Sequence, residues 1–219
     1  MKKAVFFDFD GVICDSEMLH VQIALDFYKK ENIHVSPEEI YRSIGGNRRM
    51  NNLLKVYNDH IDEIPYDYDT FRERKSIHRE KYKDFNYGTI VFKNVKKTLC
   101  TLKDKGIKLA LASSSSMPYL LKNIKDCDLE GIFDYVISGD MFKQSKPHPE
   151  IYNTCLDYFG ISPKEALIVE DSPYGIEAGV NANVEVIAIK DYRFGLDQSK
   201  ANYYVDDIIE VLNYIEKDE

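Results

Sequence analysis

The chain has 219 residues, enough for one α/β domain with an inserted subdomain or for two small domains. Its 44% hydrophobic and 30% charged content is that of a folded globular protein and excludes a disordered one. A formal charge of −8 argues against a nucleic-acid partner, and no apolar run reaches the ~18 residues a membrane-spanning helix requires.

The first predicted element is the apolar run Val5-Phe6-Phe7, which ends in Asp8-Phe9-Asp10-Gly11. Met1-Lys2-Lys3 ahead of it has a superficial look of a signal peptide, but Asp8 and Asp10 interrupt the apolar run too early for one. Residues two apart in a strand point the same way, so Asp8 and Asp10 face one spot where the strand stops and Gly11 lets the backbone turn. Such a pair can hold a hard cation, or divide into a nucleophile and a proton carrier. It is equally the composition of a polar turn after a buried strand.

From there to about residue 87 the pattern is helical. Val21, Ala24, Leu25 and Tyr28 form one stripe, and Ser36-Pro37-Glu38-Glu39 has the residues of a helix start. Met50, Leu53, Leu54 and Tyr57 repeat at i, i+3, i+4 and i+7, while Phe71, His78, Tyr82 and Phe85 line one face of a charged segment. No strand signal interrupts this stretch, so a small helical subdomain is expected, with linkers near Asp15 and over 89–94.

Beyond Val95 helix and strand alternate. Val95, Leu99 and Leu102 face inward before Gly106 ends a helix; strands are expected over 109–112, 135–137, 167–169, 184–189 and 203–205. Helices around 119–124 and 149–159 and an amphipathic tail with Ile208, Leu212 and Ile215 complete the reading. The alternation predicts an α/β fold with a Rossmann-like, mostly parallel sheet flanked by helices. The expected division is 1–14 with 91–219 for this core and 15–90 for an inserted helical subdomain.

The chemistry-bearing residues follow the apolar runs. Leu109 to Ala112 leads into Ser113 and Ser114; Lys146 precedes Pro147 shortly after the third run; Leu167 to Val169 leads into Glu170-Asp171. In an open parallel sheet ligands bind outside the carboxyl ends of the strands, so these groups can converge with Asp8 and Asp10 on one site. Taken singly, Glu170-Asp171 is also a plausible helix cap before Ser172-Pro173, and Ser113 to Ser116 a polar loop with a cap at Ser115 or Ser116.

As an ordered set, Asp8-Phe9-Asp10-Gly11-Val12, Ser113, Lys146 and Glu170-Asp171 resemble the four motifs of the haloacid dehalogenase-like hydrolases, over about residues 5 to 190. The resemblance implies that Asp8 is a nucleophile forming an aspartyl-phosphate and Asp10 the general acid, then base. It implies a Mg²⁺ ion on Asp8, the Asp10 backbone carbonyl and Asp171, with Glu170 a ligand or an outer partner. Gly11, Ser113, the Ser114 N–H and Lys146 would meet the phosphate, and the helical insertion would be a cap that chooses the leaving group.

Within the cap, Asp15 to His20 and Gly46-Asn47-Arg48-Arg49 resemble the β-phosphoglucomutase branch, in which a histidine and an arginine serve the sugar phosphate; His20 and Arg49 are the matching residues. That branch carries a lysine four residues before the arginine, where this chain has Gly45. Two reactions stay open: a phosphohydrolase of a small phosphorylated metabolite, such as a sugar phosphate, or a β-phosphoglucomutase-like isomerase using the same phospho-aspartate. A metal-free dehalogenase and a phosphonate hydrolase are disfavoured by Asp10, and a binding module by the complete motif set.

Cys14, Cys100, Cys127 and Cys155 are scattered without a C-x-x-C pair, the pattern of free thiols in a reducing cytoplasm. Cys14, near the acid pair, is expected to pack. His78 is expected to be a packed histidine; His34, His60 and His148 carry no motif, and no spacing suggests zinc. The expected partner is the small metabolite, with no nucleic acid and no membrane, for a monomer or weak homodimer.

Overall fold

The computed structural model describes residues 1–37, 39–40 and 49–215, with 49–52 by their backbone only. It divides into two compact units, Met1–Asp15 with Tyr87–Glu219, and Ser16–Asn86.

The first unit is built on β1 (Ala4–Phe7), β2 (Lys108–Ser113), β3 (Tyr135–Ser138), β4 (Ala166–Glu170), β5 (Glu185–Ile189) and β6 (Tyr203–Val205). They form one six-stranded sheet in the order β3-β2-β1-β4-β5-β6, every pair parallel. β1, β4 and all but the first residue of β2 are buried, as continuous apolar runs in a sheet covered on both faces must be. One face carries α6 (Glu150–Phe159) and α7 (Pro173–Asn181), whose Tyr152, Cys155, Ile176 and Ala178 pack on Phe6, Ala112 and Ile168. α4 (Val95–Asp104) buries Val95, Leu99 and Leu102, and α5 (Met117–Asp126) buries Leu120 and Ile124.

The register matters most. Phe7 pairs with Leu111 on one side and Val169 on the other, and the Asp8 N–H continues the ladder to the Val169 carbonyl at 3.0 Å. The chain runs from β1 out to β3 and then returns to β4 on the other flank, so the strand order reverses between β1 and β4. In open α/β sheets that reversal opens the crevice where ligands bind.

The second unit contains α1 (Ser16–Lys30), α2 (Arg49–Asp59) and α3 (Tyr68–Glu80) around Phe71, which lies within 5.7 Å of the Phe27 ring and 5.5 Å of the Tyr57 ring. Ser36 and Glu39 cap each other: the Ser36 N–H donates to Glu39 Oε2 at 2.9 Å and the Glu39 N–H to Ser36 Oγ at 3.2 Å. His78 is buried against Phe27 and Tyr82 with Nε2 3.2 Å from Asp26, a packed histidine as expected. At the boundary the two chain crossings run side by side, with the Asp15 N–H on the Ile90 carbonyl at 2.9 Å and the Phe92 N–H on the Ile13 carbonyl at 3.0 Å.

One expectation is corrected. The tail is a run of 3₁₀ turns over Ile208–Tyr214 that buries Ile208, Val211 and Ile215, whereas Leu212 is only half-buried. A three-residue turn brings i and i+3 to one face, so Val211 replaces Leu212 in the stripe. His34 and His60, which carry no motif, are both engaged with Glu63: His34 Nδ1 at 2.6 Å and His60 Nδ1 at 3.0 Å, with His60 Nε2 also 3.1 Å from Glu39. Among the described residues no helix is long and apolar enough to cross a membrane.

Candidate active site

Asp8 follows β1, Ser113 ends β2, Glu170 ends β4 and Asp171 follows it, so the sheet alone sets four groups along one edge of the crevice. Lys146 comes from the loop after β3, buried to 4% exposure. Its Nζ donates to Asp8 Oδ1 at 2.6 Å, Glu170 Oε1 at 2.6 Å and the Ala112 carbonyl at 2.9 Å. An ammonium has three protons, and all three are engaged. The Tyr152 ring lies 5.0 Å from the same nitrogen, and its hydroxyl donates to Glu170 Oε1 at 2.8 Å.

Glu170 is fully buried, and its second oxygen accepts from the Asp171 N–H at 3.1 Å, the Ser172 N–H at 3.3 Å and Ser172 Oγ at 3.1 Å. Five donors on one carboxylate leave it little capacity for another partner, which makes Glu170 an anchor for Lys146 and for the turn that presents Asp171. Gln198 holds that turn from β5's side, donating Nε2 to the Asp171 carbonyl at 2.6 Å and the Ile189 carbonyl at 2.7 Å.

Burial is the largest influence on Asp8 and raises its carboxyl; Lys146 opposes it, while Glu170 and Asp10 reinforce it, leaving Asp8 pushed up to about 8. Burial also works against the Lys146 ammonium, but Asp8 and Glu170 outweigh it and hold the lysine well above its ordinary value.

Asp8, Glu170 and Asp171 bring carboxylate oxygens within 4.8 Å of one another, all three residues buried. Three clustered carboxylates, with one ammonium bonded to two of them, are under-neutralised in a low-dielectric site, and an all-oxygen donor set suits a hard divalent cation such as Mg²⁺. The surroundings make room for this cluster. A Cβ on Gly11 would lie 2.0 Å from Asp171 Oδ2, and one on Gly175 would lie 1.8 Å from Glu170 Oε1. Gly11 also has φ +78, a conformation that favours glycine. Its N–H donates to the Cys14 carbonyl at 2.9 Å, and the side chain it lacks clears space for Asp171.

Asp10 has hydrogen-bond partners of its own. Its Oδ2 accepts from Ser115 Oγ at 2.8 Å and its Oδ1 from Tyr119 Oη at 3.0 Å. Burial first, then the Asp10 charge, pushes the Tyr119 phenol far above its ordinary value, so it remains a donor. Ser116 occupies the N-cap of α5 without a side-chain hydrogen bond; Asp140 substitutes, accepting from the Met117 N–H at 3.2 Å. The Ser113 hydroxyl accepts from the Ser115 N–H at 3.1 Å, and Ser114 is exposed.

The structure thus gathers Asp8, Lys146, Glu170 and Asp171, with Asp10, Gly11, Ser113 and Ser114 on adjoining turns. His20 belongs to α1 in the helical unit, with Nδ1 4.0 Å from Glu17. Arg49 begins α2, but its side chain lies outside the described residues, as do Asn47 and Arg48 entirely. Cys14 packs as expected: its Sγ lies 3.4 Å from Cys127 Sγ, and that contact, together with burial, pushes the thiol well above its ordinary value.

Ser115, Tyr119, Tyr152 and Gln198 escaped the sequence reading. Tyr152 lies on the apolar stripe of α6 and has the pattern of a core residue; its hydroxyl finds Glu170 only through the packing of α6 on the sheet. Ser115 had a signal, since it lies in the serine run, but its expected role as a cap hid its contact with Asp10.

Comparisons with known proteins agree with this geometry. The family model described as haloacid dehalogenase-like hydrolase matches residues 5–189. A phosphorylated carbohydrates phosphatase of Thermotoga maritima is 33% identical over 84% of this chain and 83% of its own length. A phosphoglycolate phosphatase of Aquifex aeolicus is also 33% identical, over 84% and 82%. The crystal structure of a β-phosphoglucomutase from Clostridium difficile has the same fold, with a TM-score of 0.77 at 23% identity, covering 99% of this chain and 96% of that one. A motif set in order along the sheet edge, a matching family model and relatives of this similarity make the chain a member of the haloacid dehalogenase-like hydrolases, and a phosphatase among them.

Proposed function

We propose that the protein is a Mg²⁺-dependent phosphohydrolase of a small phosphorylated metabolite, a sugar phosphate, and that it works through a phosphorylated Asp8. The observation that carries this reading is the buried Asp8–Lys146–Glu170–Asp171 cluster with Asp10 held separately on the next turn. The similarity to a phosphatase of phosphorylated carbohydrates supports the substrate class.

An Asp8 oxygen attacks phosphorus; the bond to the leaving oxygen breaks as the bond to Asp8 forms, and Asp10 gives that oxygen its proton. Water then attacks the same phosphorus while Asp10 takes back a proton; the bond to Asp8 breaks, and inorganic phosphate and the free carboxylate are restored. Lys146 offsets the negative charge of Asp8 throughout. The Ser113 hydroxyl, already an acceptor for the Ser115 N–H, keeps its own proton for a phosphate oxygen, with the Ser114 N–H beside it. Mg²⁺ on Asp8 and Asp171, with Glu170 anchoring their turn, would supply the positive charge that offsets repulsion between phosphate and carboxylates. The helical unit, with His20 and Arg49, acts in this reading as the cap that selects the leaving group.

The test is purified protein with Mg²⁺ against a panel of phosphorylated metabolites, scoring released phosphate and isomerised sugar together. Released phosphate is the expected product; glucose 6-phosphate formed from β-glucose 1-phosphate would make it an isomerase instead. Asp8→Asn and Asp10→Asn are each expected to lower turnover by ~10²-fold or more. Near-normal phosphate release by either variant removes that residue's role.

A further inference from the structure

Asp10 is held differently from Asp8 and Glu170. Asp8 and Glu170 share one ammonium, whereas both Asp10 oxygens are met by neutral hydroxyls, Ser115 Oγ at 2.8 Å and Tyr119 Oη at 3.0 Å. A carboxylate bonded through one oxygen still turns about its last two torsions. Bonded through both, its plane is fixed.

Both donors are themselves fixed. Ser115 gives its N–H to Ser113 Oγ at 3.1 Å, and its carbonyl accepts from Ser138 Oγ at 2.6 Å. The loop rests against Gly139, where a Cβ would come within 2.9 Å of the Ser114 Cα. The Tyr119 ring is wedged edge-on between Phe9, at 6.3 Å, and Tyr87, at 5.4 Å. Phe9 is the residue between the two aspartates, so the ring that aims the hydroxyl is braced by the chain it serves. Ser115 lies in the loop just ahead of α5 and Tyr119 in the first turn of α5, so one short stretch of chain carries both donors.

We infer that Ser115 and Tyr119 are positioning residues for the proton relay of Asp10, a two-point clamp supplied by the core unit. Neither hydroxyl gives up its proton; each holds the carboxylate that does. The inference rests on the reading of Asp10 as the proton carrier, and it goes further by assigning two residues that the motif set leaves without a role.

General-acid help matters in proportion to how poor the leaving group is. Phenyl phosphate and p-nitrophenyl phosphate have nearly the same shape, but phenolate needs a proton to leave and p-nitrophenolate does not. The ratio kcat/KM covers the steps up to departure of the leaving group, so it isolates this transfer from the later attack of water. The full chain with Mg²⁺ is assayed on both esters as wild type, Ser115→Ala, Tyr119→Phe and Asp10→Asn.

Losing one hydrogen bond to a charged group is expected to lower kcat/KM on phenyl phosphate about 10-fold further than on p-nitrophenyl phosphate, in each hydroxyl variant. Asp10→Asn is expected to show the same selectivity, more strongly. Equal losses on the two esters, or no loss on either, would mean that the hydroxyls merely satisfy a carboxylate and would overturn the clamp. Absence of ester selectivity in Asp10→Asn would instead overturn the proton-carrier role itself. Tyr119→Phe keeps the ring and its packing, so it remains informative even if Ser115→Ala fails to fold.

Discussion

Lys146 donates to three acceptors from three different places in the chain, Asp8 after β1, Ala112 in β2 and Glu170 at the end of β4. Replacing it by methionine preserves volume but leaves two buried carboxylates facing each other without a counter-charge. Breaking a buried pair in this way costs about 3–5 kcal/mol. Lys146→Met is therefore expected to lower the melting temperature by many degrees and turnover by ~10²-fold or more, read by thermal denaturation and phosphate release. A lone lysine before a proline has no special signature, and only its place between the serine run and the Glu170-Asp171 pair marked it. Tyr152 and Gln198 had no such marking. Their partners lie at sequence separations of 18 and 27, and nothing local distinguishes a tyrosine that reaches a glutamate from one that only packs.

At the scale of elements, the strands were legible because a parallel strand buried on both faces is an unbroken apolar run. The turns between them were less so. Gly175 in the first turn of α7 is a plain helix glycine in the sequence; in the structure it is the space that Glu170 occupies. Gly175→Ala is expected to displace Glu170 and with it Lys146, lowering turnover far more than the ~1 kcal/mol helix-propensity gain of alanine would suggest.

The helical unit offers a pH-dependent prediction of the same scale. Burial opposes the His60 charge, but Glu63 and Glu39 outweigh it and raise the imidazole above its ordinary 6.5. His60 and His34 hold Glu63 down to about 2, and the Ser36 N–H, then His60, lower Glu39. The histidine share of stability is complete below 6.5 and is lost as pH rises through its raised folded value. The carboxylate share is complete above the ordinary 4.5 and is lost as pH falls through the lowered values. Local opening energies over 33–40 and 60–64, from native-state hydrogen exchange, should peak between about 4.5 and 6.5, and His60→Gln should flatten the decline above that window. The four residues are spread from 34 to 63, so only folding of the unit brings them together.

For the whole molecule, three clustered and buried carboxylates, two of them on one lysine, predict a stability that depends on a divalent cation. Mg²⁺ added to chelated protein at a hundredfold excess over its dissociation constant should stabilise it by about 2.7 kcal/mol, and Asp171→Asn should abolish the shift in melting temperature. The two chain crossings at Asp15 and Ile90 are hydrogen-bonded to each other, so a short linker can close the core without residues 16–86. That excised form should keep hydrolysis of p-nitrophenyl phosphate while its preference among sugar phosphates collapses, measured as kcat/KM across the panel.

The sequence by itself determined the alternation of strands and helices, and the placing of Asp8, Ser113, Lys146 and Glu170-Asp171 after successive apolar runs. Both follow from local rules, burial pattern and chain order, which a linear text preserves. Only the tertiary structure decided that Asp10 turns to Ser115 and Tyr119, that Glu170 is filled by five donors, and that Gly11 serves Asp171 through the side chain it lacks. The Asp10 and Gly11 outcomes depend on segments a hundred or more residues apart, and the Tyr152 and Lys146 bonds to Glu170 on segments 18 and 24 apart; such distances are fixed by packing of helices and loops on the sheet, where no local signal reaches.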